Sequence, residues 1–128
     1  MQLSYINIYV PEVEPAMEFY SKAFGLKKLF LHESKLYGEM ETGITKLSFA
    51  ADVMAEMNGL TVVKNNLKNP SAGFEIAFTT TDVKAAFEKA LQNGAVRVTD
   101  PVENPWGQTV AYVRDLNGCL VEFCTPMS

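Results

Sequence analysis

The sequence is poor in the residues that build disulfides, zinc sites and basic binding surfaces. Its 128 residues include two cysteines, one histidine and one tryptophan, and the net charge is −4. Only two of the eleven basic residues are arginine. Without a basic face, the chain lacks the electrostatic footprint that nucleic acid or an anionic membrane would require. We therefore expect neither of these partners, and no zinc site built from cysteine and histidine.

Apolar runs are short and interrupted by charged residues. None approaches the ~20 apolar residues of a membrane-spanning helix, and residues 1–5 lack the basic start and apolar core of a signal peptide. Cys119 and Cys124 lie five positions apart on one predicted strand, so they face opposite sides and are poorly placed to pair. Two free thiols favour the reducing cytosol, and we expect a cytoplasmic protein. We interpret both cysteines as small buried apolar residues.

An ordered series of strand and helix patterns fills the rest of the chain. Apolar residues make up 48% and charged residues 20%, the composition of a folded globular domain. Runs of β-branched and aromatic residues predict strands 5–10, 27–32, 35–41, 46–50, 74–80, 96–98, 108–113 and 120–124. Apolar spacings of three and four predict one helix at 14–24 and a second from an N-cap at Thr81 or Asp82 to Asn93. Residues 54–69 are ambiguous.

The order strand, helix and three strands occurs twice, and single residues repeat with it. At an offset of 70 positions Tyr5 matches Glu75, and at an offset of 74 Ser48 matches Glu122. Three consecutive strands with short turns favour antiparallel hairpins, so an ordinary α/β fold with crossover helices is the weaker alternative. The sequence thus predicts an α+β fold of tandem βαβββ modules in one domain. Module one covers about 1–60, a polar linker about 61–72, and module two about 73–128.

Two stretches of the sequence are similar to one known superfamily. The first comprises residues 8–12 (IYVPE), 16–20 (AMEFY) and 24–26 (FGL), and the second residues 105–107 (PWG), 111–118 (AYVRDLNG) and 120–123 (LVEF). With the tandem βαβββ order, they resemble the vicinal oxygen chelate superfamily, which includes glyoxalase I, extradiol dioxygenases, fosfomycin-modifying enzymes and bleomycin resistance proteins. The resemblance spans nearly the whole chain. It implies a cup-shaped mixed sheet with the helices outside, and a homodimer that covers the open strand edges.

The resemblance also implies where the enzymes of this superfamily hold a divalent metal. The four ligand positions correspond to Tyr5, Ser48, Glu75 and Glu122, and only Glu122 matches the usual ligand. Glu75 stands where histidine is usual, whereas Tyr5 and Ser48 are protonated at neutral pH and are poor ligands. Two carboxylates alone would bind such an ion weakly, and His32 is predicted away from these positions. We therefore expect no metal and no other cofactor, with a divalent metal as the disfavoured alternative.

Two carboxylates in one partly dry cavity can perform acid–base chemistry or bind a cation. Glu75 and Glu122 are the catalytic candidates, and the predicted ligand-binding residues are Tyr5, Ser48, Glu75, Trp106, Tyr112 and Glu122. With Tyr5 and Ser48 neutral, this site carries up to two negative charges and aromatic walls suited to an organic molecule. One function is a metal-free module that binds or sequesters an aromatic or cationic organic ligand, as in the bleomycin resistance branch. The alternative is a metal-dependent lyase or dioxygenase of the glyoxalase type, so whether the protein is an enzyme stays open.

Overall fold

The structure, a computed structural model, describes residues 1–127. Its strands are β1 (Tyr5–Val10), β2 (Lys27–Leu31), β3 (Tyr37–Glu41), β4 (Lys46–Ala51), β5 (Glu75–Thr79), β6 (Val96–Glu103), β7 (Thr109–Arg114) and β8 (Leu120–Cys124). Its helices are α1 (Val13–Phe24), α2 (Asp52–Met57) and α3 (Val83–Gln92). The chain divides into two compact units, called unit one (residues 1–65) and unit two (from residue 66). The division lies inside the predicted linker, and residues 60–74 form neither helix nor strand.

Unit one is a four-stranded mixed sheet with α1 packed on one face. The strand order is β1-β4-β3-β2, with β1 parallel to β4 and the other neighbours antiparallel. α1 forms because its apolar side chains recur along one face, and it ends where Gly25 adopts a left-handed φ of 71°. Phe19, Tyr20 and Phe24 pack edge to face, and the Tyr20 ring centre lies 4.9 Å from that of Phe49 on β4. These rings fill the space between helix and sheet.

Unit two repeats this arrangement. Its strand order is β5-β8-β7-β6, with β5 parallel to β8 and the other neighbours antiparallel. Asp82 is the N-cap of α3, because its side chain accepts a hydrogen bond from the Ala85 N–H at 3.0 Å. The helix buries Val83, Phe87 and Ala90 on the side that faces the sheet. The predicted α+β class and tandem βαβββ order are confirmed.

The strand registers of the two units show the same internal repeat as the sequence. The middle row of each sheet holds three paired residues, which are Asn7, Ser48 and Glu39 in unit one, and Ala77, Glu122 and Tyr112 in unit two. Asn7 and Ala77 are 70 positions apart, and Ser48 and Glu122 are 74 apart, the same offsets that the sequence shows. Because side chains alternate along a strand, each row points to the face of its sheet opposite the long helix, which is α1 in unit one and α3 in unit two. This face is called the open face below.

Two segments differ from the sequence prediction. The ambiguous region begins with a helix, since α2 covers Asp52–Met57, and six residues are too few for an apolar period to show. β6 continues to Glu103, past its predicted end at residue 98. It can do so because it is an edge strand, where Pro101 does not interrupt a hydrogen-bonded ladder on both sides. Two register shifts along β6 accommodate the extra residues.

The two cysteines behave as the sequence predicts. Both are free and buried. Burial, with the charge of Asp115 second, raises the pKa of the Cys119 thiol to about 12, so it stays protonated and unreactive. Among residues 1–127, none of the helices has the length and apolar character needed to cross a bilayer.

Candidate functional site

The open face of the sheet in unit two brings the two predicted carboxyls together. On β8, Glu122 alternates with Val121 and Phe123, which are buried on the helix side, so Glu122 points to the open face. On β5, Glu75 lies two residues before Ala77, the register partner of Glu122. The Glu75 carboxyl is close enough to affect the ionisation of the Glu122 carboxyl. Glu75 and Glu122 are called the carboxyl pair below.

The surroundings of Glu122 raise its pKa to about 7. Partial burial is the largest cause, and the hydrogen bond with Glu75 and its negative charge act in the same direction. The hydroxyl of Tyr112 donates a hydrogen bond to Glu122 and opposes the rise. Near neutral pH the Glu122 carboxyl therefore exchanges between its protonated and its ionised form.

Tyr112 and Cys124 belong to the same face. Tyr112 lies directly across from Glu122 on β7, and Cys124 follows Glu122 by two residues on β8. Burial raises the pKa of the Tyr112 phenol and of the Cys124 thiol, and the negative charges of the carboxyl pair raise both further. Both groups are therefore protonated at neutral pH. The face combines an aromatic hydroxyl that donates hydrogen bonds with a pair of acids that accepts them.

The basic residues of this sheet do not neutralise the carboxyl pair. Strands β5–β8 contain two, Arg97 and Arg114. Arg97 lies on the helix side, with its guanidinium 5.2 Å from the centre of the Phe87 ring. Arg114 is on the open face by register, but its guanidinium donates hydrogen bonds of 2.6–3.4 Å to the main-chain carbonyls of Asn66, Leu67, Asn69 and Gly118. The charge of Arg114 is therefore occupied by the segment that precedes β5.

The open face of unit one carries a polar network of its own. The hydroxyl of Tyr37 donates to Glu39 at 2.9 Å, and burial raises the pKa of Tyr37. Ser48 is fully buried, and its hydroxyl donates to the side-chain oxygen of Asn7. Tyr5 begins β1 and is 51% exposed. Glu39 thus gives this face a carboxylate, whereas Tyr5 and Ser48 alone predicted a neutral surface.

Strand alternation was the signal that could have identified Tyr37 and Glu39. Both residues alternate with the buried Gly38 and Met40 along β3, so a period of two already directs them to the open face. Alternation does not predict which residue of β4 lies beside each of them, because that depends on the register between β3 and β4.

The structure divides the six predicted binding residues among three places. Glu75, Tyr112 and Glu122 share the open face of unit two, Tyr5 and Ser48 lie on the sheet of unit one, and Trp106 lies in the loop between β6 and β7. The Trp106 side chain is 66% exposed, and its indole N–H donates to the side-chain oxygen of Gln108 at 3.1 Å. The part of the candidate site that is assembled within one unit is therefore the carboxyl pair with Tyr112.

The family of the chain follows from a comparison over nearly its full length. The family model for the glyoxalase-like domain matches residues 3–128. The chain belongs to the glyoxalase-like domain family. Its predicted resemblance to the vicinal oxygen chelate superfamily is confirmed at the level of the fold. The comparison with curated proteins found no match to this chain.

Solved structures of the glyoxalase-like type share the fold at low sequence identity. A glyoxalase-related enzyme from Fulvimarina pelagi has a TM-score of 0.83 and 18% identity, over 98% of this chain and 88% of that chain. A glyoxalase/bleomycin resistance protein/dioxygenase family enzyme from Burkholderia phytofirmans PsJN has a TM-score of 0.80 and 19% identity, over 99% of this chain and 100% of that chain. A member of the same superfamily from Sphaerobacter thermophilus DSM 20745 has a TM-score of 0.72 and 18% identity, over 98% of both chains. These identities establish a common fold.

The donor groups of this glyoxalase-like chain do not fit a resident divalent metal. Glu75 and Glu122 supply two carboxyl groups, fewer than the three or more protein ligands of a resident divalent metal, and the buried hydroxyl of Ser48 is bonded to Asn7. His32 is exposed after β2, where its Nδ1 accepts a hydrogen bond from the Ser34 N–H at 3.1 Å. Within residues 1–127, no three side chains of His, Cys, Asp and Glu are arranged to hold one ion. We therefore assign no step to a metal.

Proposed function

We propose that this glyoxalase-like protein binds a small organic molecule without a metal, and that the carboxyl pair and Tyr112 carry the binding. The supporting observation is the acidic open face of unit two. Within residues 1–127 neither Glu75 nor Glu122 forms a salt bridge, and Arg114, the basic residue on that face, is occupied by main-chain carbonyls. Acidic groups that lack an internal cationic partner are suited to an external cation.

The charge of the face favours a cationic organic ligand over an anionic one. An anion would meet the negative charge of the carboxyl pair, whereas a cation with N–H groups can donate to both carboxyls in charge-assisted hydrogen bonds. The Tyr112 ring offers an aromatic surface beside the pair. The exposed ring of Trp106 is a further candidate for stacking on a cation, worth ~0.5–2 kcal/mol.

The competing function is that of a divalent-metal-dependent lyase or dioxygenase of the glyoxalase type. It requires Glu75 and Glu122 to act as ligands, and it predicts that the protein retains metal in stoichiometric amount. The carboxyl pair could also serve a metal-free reaction as acid and base, because a carboxyl pKa near 7 suits proton transfer at neutral pH. We keep Glu75 and Glu122 as the catalytic candidates for that case.

Calorimetric titration with a matched pair of aromatic probes tests the binding proposal. Benzamidinium carries a positive charge and two NH2 donor groups, and benzamide has a similar shape without the charge. We expect benzamidinium to bind more tightly than benzamide. Glu122→Gln keeps the volume and one hydrogen-bonding oxygen but removes the charge, so it should weaken benzamidinium by ~1–3 kcal/mol and leave benzamide nearly unchanged.

Metal analysis is the second arm of this test. The purified protein is dialysed after incubation with Mn²⁺, Zn²⁺ or Ni²⁺, and the bound metal is counted. Stoichiometric retention that Glu122→Gln abolishes would replace the binding proposal with the metal-dependent alternative. Glu103→Gln is the matched control, because Glu103 is an exposed acid at the end of β6 in the same unit.

We also propose a homodimer in the cytoplasm. Each sheet has two edge strands, β1 and β2 in unit one and β5 and β6 in unit two, and unpaired edges favour association unless they are covered. Large apolar side chains are exposed on these edges, among them Leu29, Phe30 and Val98. Sedimentation showing only a single chain at tens of micromolar would contradict the dimer. The free thiols of Cys119 and Cys124 support the reducing compartment.

A further inference from the structure

Four side chains form a square on the open face of unit one, where β2 and β3 make the edge of the sheet. Glu39 on β3 lies directly across from Phe30 on β2. His32 follows β2 and lies across from Tyr37, because its N–H donates to the Tyr37 carbonyl at 2.9 Å. Side chains two residues apart on a strand share a face, so all four project together. Three corners of the square are rings, and the fourth is a carboxylate.

Direct contacts hold two sides of this square, and its surface is accessible. The ring centres of Phe30 and His32 are 6.3 Å apart, with an angle of 75° between the ring planes. The Tyr37 hydroxyl donates to Oε2 of Glu39 at 2.9 Å. Phe30 and His32 are exposed, and Tyr37 and Glu39 are half-buried. Residues across an antiparallel pair have Cβ atoms about 5 Å apart, so a small group above the centre of the square contacts all four side chains.

The charge of Glu39 has no cationic partner within residues 1–127, because Glu39 takes part in none of the salt bridges there. Three lysines around this sheet are paired with other acids. These pairs are Lys28 with Glu18, Lys35 with Glu14, and Lys46 with Glu41. Lys27 lies across from Glu41, outside the square. The square therefore presents a negative charge that is balanced by no lysine and is bordered by three rings.

We propose that this square binds the quaternary ammonium group of a small soluble compound. Such a cation carries methyl groups in place of N–H donors, and it is attracted to aromatic faces that lie within ~6 Å of its charge. Glu39 already accepts a hydrogen bond from Tyr37, so the carboxylate lacks a countercharge and not a donor. The rings supply the faces and Glu39 supplies the charge. This site belongs to unit one, and it does not rest on the function proposed for the carboxyl pair.

Titration with a matched pair of probes, followed by NMR, tests the square directly. The charged probe is choline chloride, and the uncharged probe is the alcohol in which a tert-butyl group replaces the trimethylammonium group. His32 is the single histidine of the chain, so its ring signals identify themselves. We expect choline to shift these signals to saturation and to bind about tenfold more tightly than the alcohol, since the two probes differ in charge and not in shape.

Two variants separate the contribution of the rings from that of the charge. Phe30→Leu keeps an apolar side chain at a position that is 46% exposed but removes the ring, so it should weaken choline about threefold and leave the alcohol nearly unchanged. Glu39→Gln keeps an acceptor for the Tyr37 hydroxyl and should weaken choline about tenfold. The matched controls in unit two are Phe74→Leu, also 46% exposed, and Glu103→Gln, and both should bind choline as the unmodified protein does.

Each other outcome overturns the proposal in a recognisable way. If choline and the alcohol bind equally, the square is an apolar patch without cation selectivity. If Glu122→Gln abolishes choline binding and Glu39→Gln does not, the cation binds in unit two, and the function proposed for the carboxyl pair stands while the square is overturned. If choline does not bind at all, the square is overturned whatever benzamidinium does. Phosphatidylcholine vesicles carry the same group, and binding to vesicles without binding of free choline would overturn the soluble ligand.

Discussion

Replacing Glu122 with glutamine should make the protein more stable at alkaline pH. The folded-state pKa of Glu122 is about 7, against an ordinary value of 4.5. An acid with a raised folded-state pKa binds its proton more tightly when folded, so protonation stabilises the fold. This stabilisation is complete below about pH 4.5 and is lost as the pH rises through about 7. Glutamine does not ionise, so Glu122→Gln should remove this loss.

The size of the effect follows from the same two values. One pKa unit corresponds to about 1.4 kcal/mol, so full ionisation of Glu122 costs the folded state at most about 3 kcal/mol. Because the side chain is only half-buried, solvent screening lowers this, and we expect about 1–3 kcal/mol. At about pH 4 the unmodified protein and Glu122→Gln should have nearly equal stability, since Glu122 is then mostly protonated in both the folded and the unfolded state. At about pH 8.5 the variant should exceed the unmodified protein by that amount.

Urea unfolding across this pH range measures the difference. The fluorescence of Trp106, the single tryptophan, reports on unit two, and circular dichroism reports on both units. Glu75→Gln should reduce the pH dependence only in part, because burial, the largest cause of the raised pKa of Glu122, remains. Glu103→Gln should follow the unmodified protein. The reasoning is refuted if Glu122→Gln keeps the full pH dependence, or if it is the less stable protein at about pH 8.5.

Close packing, helix capping and linker attachment each give a further prediction. Gly38→Ala should lower the free energy of unfolding by about 1–3 kcal/mol, because a Cβ there would overlap the buried Met17 sulfur; an unchanged urea midpoint would contradict this. Asp82→Ala should lower the free energy of unfolding by about 1 kcal/mol through loss of the α3 N-cap. Asp82→Asn should keep most of the stability, because its side-chain oxygen can still cap the helix. Arg114→Lys should speed trypsin cleavage after Lys68 about tenfold, because a lysine cannot hold the carbonyls around that residue; an unchanged cleavage rate would exclude this role for Arg114.

Much of the fold could be predicted because its determinants are local and occur twice. The boundaries of β1, β8 and α1 follow from apolar period, from Gly25 and from the turn before Leu120, all of which act within a few residues. Unit two then shows the same order of strand and helix patterns a second time. α2 escaped prediction because its six residues have no side-chain cap at Ala51 and too short a period. The end of β6 was missed because Pro101 signals a break unless the strand is known to be an edge.

The site was predictable where a motif marked it and not where register decides it. Glu122 and Tyr112 lie in the stretch that resembles the superfamily, and Glu75 follows from the repeat. Glu39 has no such marker, because its place beside Ser48 depends on how β3 pairs with β4. The sequence predicted Glu75 and Glu122 as two carboxyls in one partly dry cavity, suited to acid–base chemistry. How far the pKa of Glu122 rises depends on burial and distance, which neither composition nor spacing encodes.

The two middle rows differ at the position where β4 in unit one corresponds to β8 in unit two. This position holds Glu122 in unit two and Ser48 in unit one, and the neighbouring residues explain the difference. Both units keep a hydrogen bond from a tyrosine to a glutamate: Tyr37 donates to Glu39 in unit one, and Tyr112 donates to Glu122 in unit two. In unit one the carboxylate of this row lies on β3 instead of β4, and Ser48 occupies the β4 position with no exposed surface. A glutamate at position 48 would bury a second carboxylate beside Glu39, which is costly without a cation to compensate it. The row of unit one therefore has room for one negative charge, and Glu39 on β3 already supplies it.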